Sequence, residues 1–397
     1  MKCRQIAFAV SAMVLLVCGV GAQQLPTVIW ERIAHSPLAG GTPGGQSVKY
    51  SSDGRFVYSG GERIYLNGGG ESGFAHIKKF AAADGTELAV TPDYFGLYGI
   101  SELALSPDGT RVVTANYEVV CDVWYTNCRG GYVQYDASQL ARLAIPTEGN
   151  ARESSVDYAP DGATFALGGQ WYIVGPENYY NIRIVNAADL SIITELPGHL
   201  RAPNDGGTYS VRYSPDGQML ASGGADTFVK LWRIADGTLI RQMLFRSDIY
   251  PGVTSVAFSP DGNFIAAANA GFNAQIKVWR VSDGALIRTF NASPDYVNSS
   301  EVTWTRDGRH IVAGVRVQNL PSKILFWNFE TFKLVQEYGV PSNRPIYSID
   351  FAPNNKTFAF GTGTRVYVAV NPVSKATATD TNSAADNQAD AIVIEQD

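Results

Sequence analysis

Apolar and polar positions along the chain fall into one repeated figure. An apolar residue, one spacer and a bulky apolar residue are followed four positions later by a tight turn. The pairs are Val48/Tyr50, Leu103/Leu105, Val156/Tyr158, Val211/Tyr213, Val256/Phe258, Val302/Trp304 and Ile349/Phe351. The turns centre on Gly54, Gly109, Gly162, Gly217, Gly262, Gly308 and Asn355. Three residues past each turn comes another apolar residue: Val57, Val112, Phe165, Leu220, Ile265, Ile311 and Phe358. Alternation of this kind predicts half-buried strands. A period of roughly 45–55 residues predicts a repeat architecture. Helical spacing of apolar residues is scarce outside the N-terminus.

Each repeat reads as four strands, a to d. In the fourth they are Tyr209–Ser214, Met219–Gly223, Phe228–Ile234 and Leu239–Leu244, with turns at Pro215-Asp216-Gly217 and Asp236-Gly237. The fifth copies it through Ser259-Pro260-Asp261-Gly262, Val278-Trp279 and Asp283-Gly284. A lone four-stranded sheet of this size exposes both faces, and packing sheets around an axis buries them.

The run from Ser214 to Gly223, followed by Val229-Lys230-Leu231-Trp232, resembles a WD-repeat. The likeness is strong in repeats four and five and good in six, where Trp327 holds the tryptophan position. It is weaker in one to three, where Phe80, Tyr135 and Val185 stand there. Over about 27–372 the resemblance implies an all-β, seven-bladed β-propeller of four-stranded antiparallel blades. It also implies closure by an N-terminal strand, so that Thr27–Ala34 joins 346–370 in blade seven. Ala391–Glu395 is the rival closing strand. The expected domains are a signal peptide (1–22), the propeller (23–372) and a polar, acidic, disordered tail (373–397).

Composition adds location and partners. Lys2 and Arg4 precede a short apolar run, Ile6 to Val20, with Val20 and Ala22 before an expected cleavage. The run is about fifteen residues, short of the roughly 20 that span a bilayer. This predicts a secreted or periplasmic protein of the exported bacterial type, with no membrane span after cleavage. Net charge is −6 for the 397 residues, without a cationic cluster. Nucleic acid is therefore not an expected partner. Of four cysteines, Cys121 and Cys128 lie outside the leader, and an oxidising compartment would pair them as a disulfide worth roughly 2.5 kcal/mol.

Several patterns touch on chemistry. His199, Ser222, Asp226 and Trp232 sit at the spacing of the hydrogen-bonded tetrad of WD-repeats, which implies buried support of a blade rather than a hydrolase triad. Only repeat four has this set, so packing alone is expected to hold the other blades. His35, His76, His199 and His310 lack zinc-site spacing, so no metal and no cofactor are expected. Gly68–Gly73 satisfies G-x-G-x-x-G but opens no helix, and reads as a loop.

The loops joining strands b and c are long and aromatic in blades one to three. They carry Tyr65, then Trp124 and Tyr125, then Trp171, Tyr172, Tyr179 and Tyr180; the loop entering blade two adds Tyr94 and Phe95. Such rings either fasten the loops or form a recognition surface. The expectation is a monomeric binding scaffold for a protein, peptide or glycan. The alternative is a hydrolase or lyase acting at the mouth of the central channel, with residues that spacing alone does not name.

Overall fold

The computed structural model describes residues 27–34, 47–61, 76–92, 99–116, 120–121, 128–129, 131–146, 151–171, 182–199, 207–246, 252–269, 274–291, 296–317, 320–340, 342 and 344–374. The expected leader, nearly all of the tail, the rival strand 391–395 and the Gly68–Gly73 loop lie outside them.

Seven four-stranded antiparallel sheets make up the fold, and the described residues include no helix. The first strands, a, are Ser47–Tyr50, Ile100–Leu105, Ala151–Tyr158, Thr208–Tyr213, Val253–Phe258, Tyr296–Trp304 and Ser348–Phe351. Blade four continues with Met219–Gly224, Phe228–Arg233 and Leu239–Leu244, within a residue of the sequence expectation. In the seventh sheet, Val28–Ile33 pairs antiparallel with Arg365–Val370, after Thr357–Thr362 and Ser348–Phe351.

The repeated turns explain the spacing. In blade four the Ser214 hydroxyl donates to Asp216 Oδ1 at 2.6 Å and accepts from Met219 N at 2.9 Å. Gly217 takes φ +71°, which the absence of a Cβ permits. Asn355 meets the same demand in blade seven at φ 59°.

The core lies between blades. Ala166, Ile182 and Ile184 of blade three pack on Val211, Leu220 and Trp232 of blade four. Trp30, Val366 and Val368 of the seventh sheet pack on Val48, Val57 and Phe80 of blade one. Bulk is conserved across register pairs. Leu220 faces Trp232, Ile265 faces Trp279 and Val57 faces Phe80. In blades three and seven the ring changes strand, with Phe165 opposite Val185 and Phe358 opposite Ala369. The missing tryptophans are thus compensated by volume.

Packing alone does not hold every other blade, which corrects that expectation. In blade three Glu153 of strand a and Arg183 of strand c form a buried ion pair, with Arg183 near the Tyr132 ring of blade two. Two burdens of desolvation there require each charge to keep its partner.

Candidate functional site

Strand a of every blade contributes to the wall of a cavity of about 520 Å³ on the ring axis. Its rim includes Pro107, Pro160, Pro215 and Pro260 of the a–b turns, so it opens on the turn face. The strand ends that lead into the b–c and d–a connections lie at the opposite face.

Two rows of side chains, separated by the period-two alternation of a strand, share this axis. The inner row precedes the apolar pair: Ser47, Glu102, Ser155, Ser210, Ser255, Glu301 and Ser348. It stitches neighbouring blades. The N–H groups of Leu103, Val156, Val211, Val256 and Val302 donate to Ser47, Glu102, Ser155, Ser210 and Ser255 of the preceding blade at 3.1–3.2 Å. Ser348 Oγ donates to Val48 O at 3.1 Å. The outer row is the spacer of the repeat: Lys49, Ala104, Asp157, Arg212, Ala257, Thr303 and Asp350.

Charge in these rows is unevenly matched. Arg212 grips Glu102 with Nη2 to Oε1 at 2.5 Å and Nη1 to Oε2 at 3.1 Å, and Ser155 Oγ donates to Oε2 at 2.7 Å. Lys49 stands 3.5 Å from the same carboxylate. Burial alone would push the Glu102 carboxyl up, but Arg212 and Lys49 outweigh it and hold it below the usual range. Arg306 pairs with Asp350 at 2.9 Å, and Asp350 also accepts Tyr50 N at 2.7 Å.

Asp157 and Glu301 stand apart. Asp157 accepts Tyr213 N at 2.8 Å, and Glu301 accepts the Ser255 hydroxyl at 3.2 Å. Among the described residues neither has a cation within ion-pair distance. Burial pushes Asp157 up to about 6 and Glu301 up to about 7, against the weaker pull of Arg212 and Lys49. These carboxyls change charge near neutral pH.

The tetrad residues are brought together differently. His199 Nδ1 is 2.6 Å from Asp226 Oδ1, His199 Nε2 is 2.8 Å from Ser222 Oγ, and Trp232 Nε1 donates to Ser222 Oγ at 2.9 Å. Burial lowers His199, so the ring is neutral, with Nδ1–H donating to Asp226 and Nε2 accepting from Ser222. Asp226 falls to about 2: burial opposes this, but His199 and Lys230, 3.0 Å away, prevail. Ser222 is fully buried and committed to both neighbours, so it cannot reach a substrate.

Of the aromatic loop residues, Tyr65, Tyr94, Phe95, Trp124, Tyr125, Tyr172, Tyr179 and Tyr180 lie outside the described residues. Trp171 ends strand Thr164–Trp171, with Ala151 as its register partner. Cys121 and Cys128 are register partners in a two-stranded ladder. Among the described residues no group of three His, Cys, Asp or Glu could hold a metal ion, and no helix is long and apolar enough to cross a membrane.

The channel set was not named from sequence. The signal was available as a column: aligned on the repeat, the spacer alternates among small, cationic and acidic residues, and Glu102 and Glu301 interrupt a column of serines.

Comparison with known proteins agrees with the repeat. The WD40 family profile (WD domain, G-beta repeat) matches residues 190–233 and 247–280. The chain is 26% identical over 138 residues to the small ribosomal subunit protein RACK1y of Oryza sativa, covering 34% of this chain and 38% of that protein. It is 26% identical over 184 residues to Protein hir-1 of Neurospora crassa, covering 41% and 17%. It is 29% identical over 178 residues to eukaryotic translation initiation factor 3 subunit I of Lodderomyces elongisporus, covering 41% and 48%. The chain spans less than half the length of each of these relatives.

These relatives correct the expected location. They are eukaryotic, and a ribosomal subunit protein and a translation initiation factor subunit work inside the cell, not in a periplasm or outside it. The secreted or periplasmic reading does not hold. It rested on two cations ahead of a short apolar run, a pattern of hydrophobicity that is blind to the folded ring. The oxidising compartment invoked for Cys121 and Cys128 loses its premise too. What stands is a chain with WD40 repeats, folded as a seven-bladed propeller of four-stranded antiparallel blades.

Proposed function

We propose that this propeller is a non-enzymatic scaffold that binds a protein or peptide, or a glycan, through the aromatic loops of blades one to three. The observation that carries the reading is where its reactive-looking groups are spent. The Ser–His–Asp set of blade four is buried, internally saturated and closed by Trp232. A rigid ring leaves binding to its connections, where Tyr and Trp offer contact area at low ordering cost. Relatives named as subunits of a ribosome and of an initiation factor favour a protein partner. The test replaces Trp124, Tyr125, Trp171 and Tyr179 with Ala and compares the proteins retained from native cell extract. Loss of specific partners is expected; an unchanged set overturns the loop assignment.

A second reading, a hydrolase or lyase at the channel mouth, draws on Asp157 and Glu301, whose proton affinities lie near those of general acids and bases at neutral pH. Screening generic ester, phosphoester and glycoside substrates with wild type and Glu301→Gln tests it. Turnover that the variant abolishes would displace the scaffold reading.

A further inference from the structure

We propose that the turn-face mouth of the channel is a second binding site, which takes the cationic head of a lysine or arginine side chain from a partner protein against Asp157 and Glu301.

The argument is one of supply and demand among the groups that face the cavity. Blade one contributes Lys49, blade two Glu102 just below the wall, blade three Asp157, blade four Arg212, blade six Glu301 and Arg306, and blade seven Asp350. Blade five contributes Ala257 and Phe258, without charge. The three cations are all engaged: Arg212 and Lys49 by Glu102, Arg306 by Asp350. An arriving anion would have to break one of these pairs. Asp157 and Glu301 are the two carboxyls with no cation within ion-pair distance among the described residues, each holding a single described hydrogen bond from the protein. Arg212 and Lys49 pull on both from farther away, and four acids against three cations leave one negative charge in surplus. Each carboxylate retains acceptor capacity beyond that one bond.

Shape agrees with charge. The rim is built of Pro107, Pro160, Pro215 and Pro260, with Phe258 beside them, and the acids lie within. An alkyl stem packs on such a rim while its ammonium or guanidinium reaches the carboxyls. A cavity of about 520 Å³ has room for one such side chain. An incoming cation favours the ionised acids, so its binding releases protons where Asp157 and Glu301 would otherwise hold them.

The experiment uses the full chain and isothermal titration with two capped peptides, one with a central lysine and one with a central arginine. Binding at about pH 8 should exceed that at about pH 5 by at least tenfold, because both acids are protonated at the lower value. Asp157→Asn/Glu301→Gln should weaken binding at about pH 8 by a similar factor. These near-isosteric amides keep an acceptor for Tyr213 N and Ser255, and a circular dichroism spectrum and melting transition verify the fold. Binding of neither peptide, or binding unchanged in the double variant, overturns the site. Acetate binding in place of the cations overturns its sign. Butylguanidinium or butylamine binding as tightly as the peptides would assign the pocket to a free small amine and overturn the protein partner.

Discussion

Two polar clusters of this propeller use similar residue types to opposite ends. In blade four, His199, Ser222, Asp226 and Trp232 form a chain in which donors and acceptors are matched. On the axis, Glu102 is bound by Arg212, Lys49 and Ser155, while Asp157 and Glu301 of the same wall have only one hydrogen bond each among the described residues. A saturated buried network fixes structure, and a wall with surplus acceptors keeps capacity for a ligand. Residue identity does not separate the two; the inventory of partners does.

Removing one partner from the matched part of the axis should have the largest effect. Arg212→Met would leave Glu102 in a confined wall with Lys49, 3.5 Å away, as its one cation within ion-pair distance, beside the hydrogen bonds from Ser155 Oγ and Val156 N. A loss of about 3–5 kcal/mol is expected, read from urea unfolding. A loss below about 1 kcal/mol would mean that water already screens the pair.

Next comes the tetrad. Ser222→Ala deprives the Trp232 N–H and His199 Nε2 of their shared partner in a fully buried place. It should cost about 2–4 kcal/mol, and adding Trp232→Phe should recover about 1 kcal/mol by removing an orphaned donor. Non-recovery would show that the network is not limited by satisfaction.

The surplus acids should behave in the reverse sense. Glu301 is raised in the fold to about 7 from 4.5. The folded state thus binds its proton more tightly than the unfolded state. That stability is complete below the unfolded value and is lost as pH rises through about 7. Glu301→Gln should therefore raise stability by about 1–3 kcal/mol at about pH 8 and by little at about pH 4. Asp226 has the opposite sign: its stabilisation exists above the unfolded value and disappears as pH falls through about 2. A Glu301→Gln variant that is less stable at about pH 8 would reverse the comparison.

The smallest effect belongs to the rim. Arg306 and Asp350 pair where Arg306 is about half exposed. A double-mutant cycle should return under about 1 kcal/mol and fall with added salt.

The architecture was legible because turn chemistry and alternation are local. Ser214, Asp216 and Gly217 announce their hydrogen bonds, and a strand of period two declares its buried face. Compensations of volume were less visible: blade three has Val185 where other blades have tryptophan, and the ring that makes up the volume, Phe165, is found only when the two strands are aligned in register. The channel was hidden for a different reason. Glu102 and Arg212 are 110 residues apart, and each looks like an ordinary polar alternation in its own strand. Only the closed ring makes them neighbours. The aromatic loops are conspicuous in sequence by their composition.

The carboxyl titrations test the difference between the two clusters most directly. In the full chain labelled with ¹³C at Asp and Glu side chains, Asp157 and Glu301, assigned through Asp157→Asn and Glu301→Gln, should titrate near 6 and near 7. Asp226 should titrate near 2. Asp157 and Glu301 both titrating in the ordinary range near 4 would show that the channel wall holds no surplus, and would contradict the account.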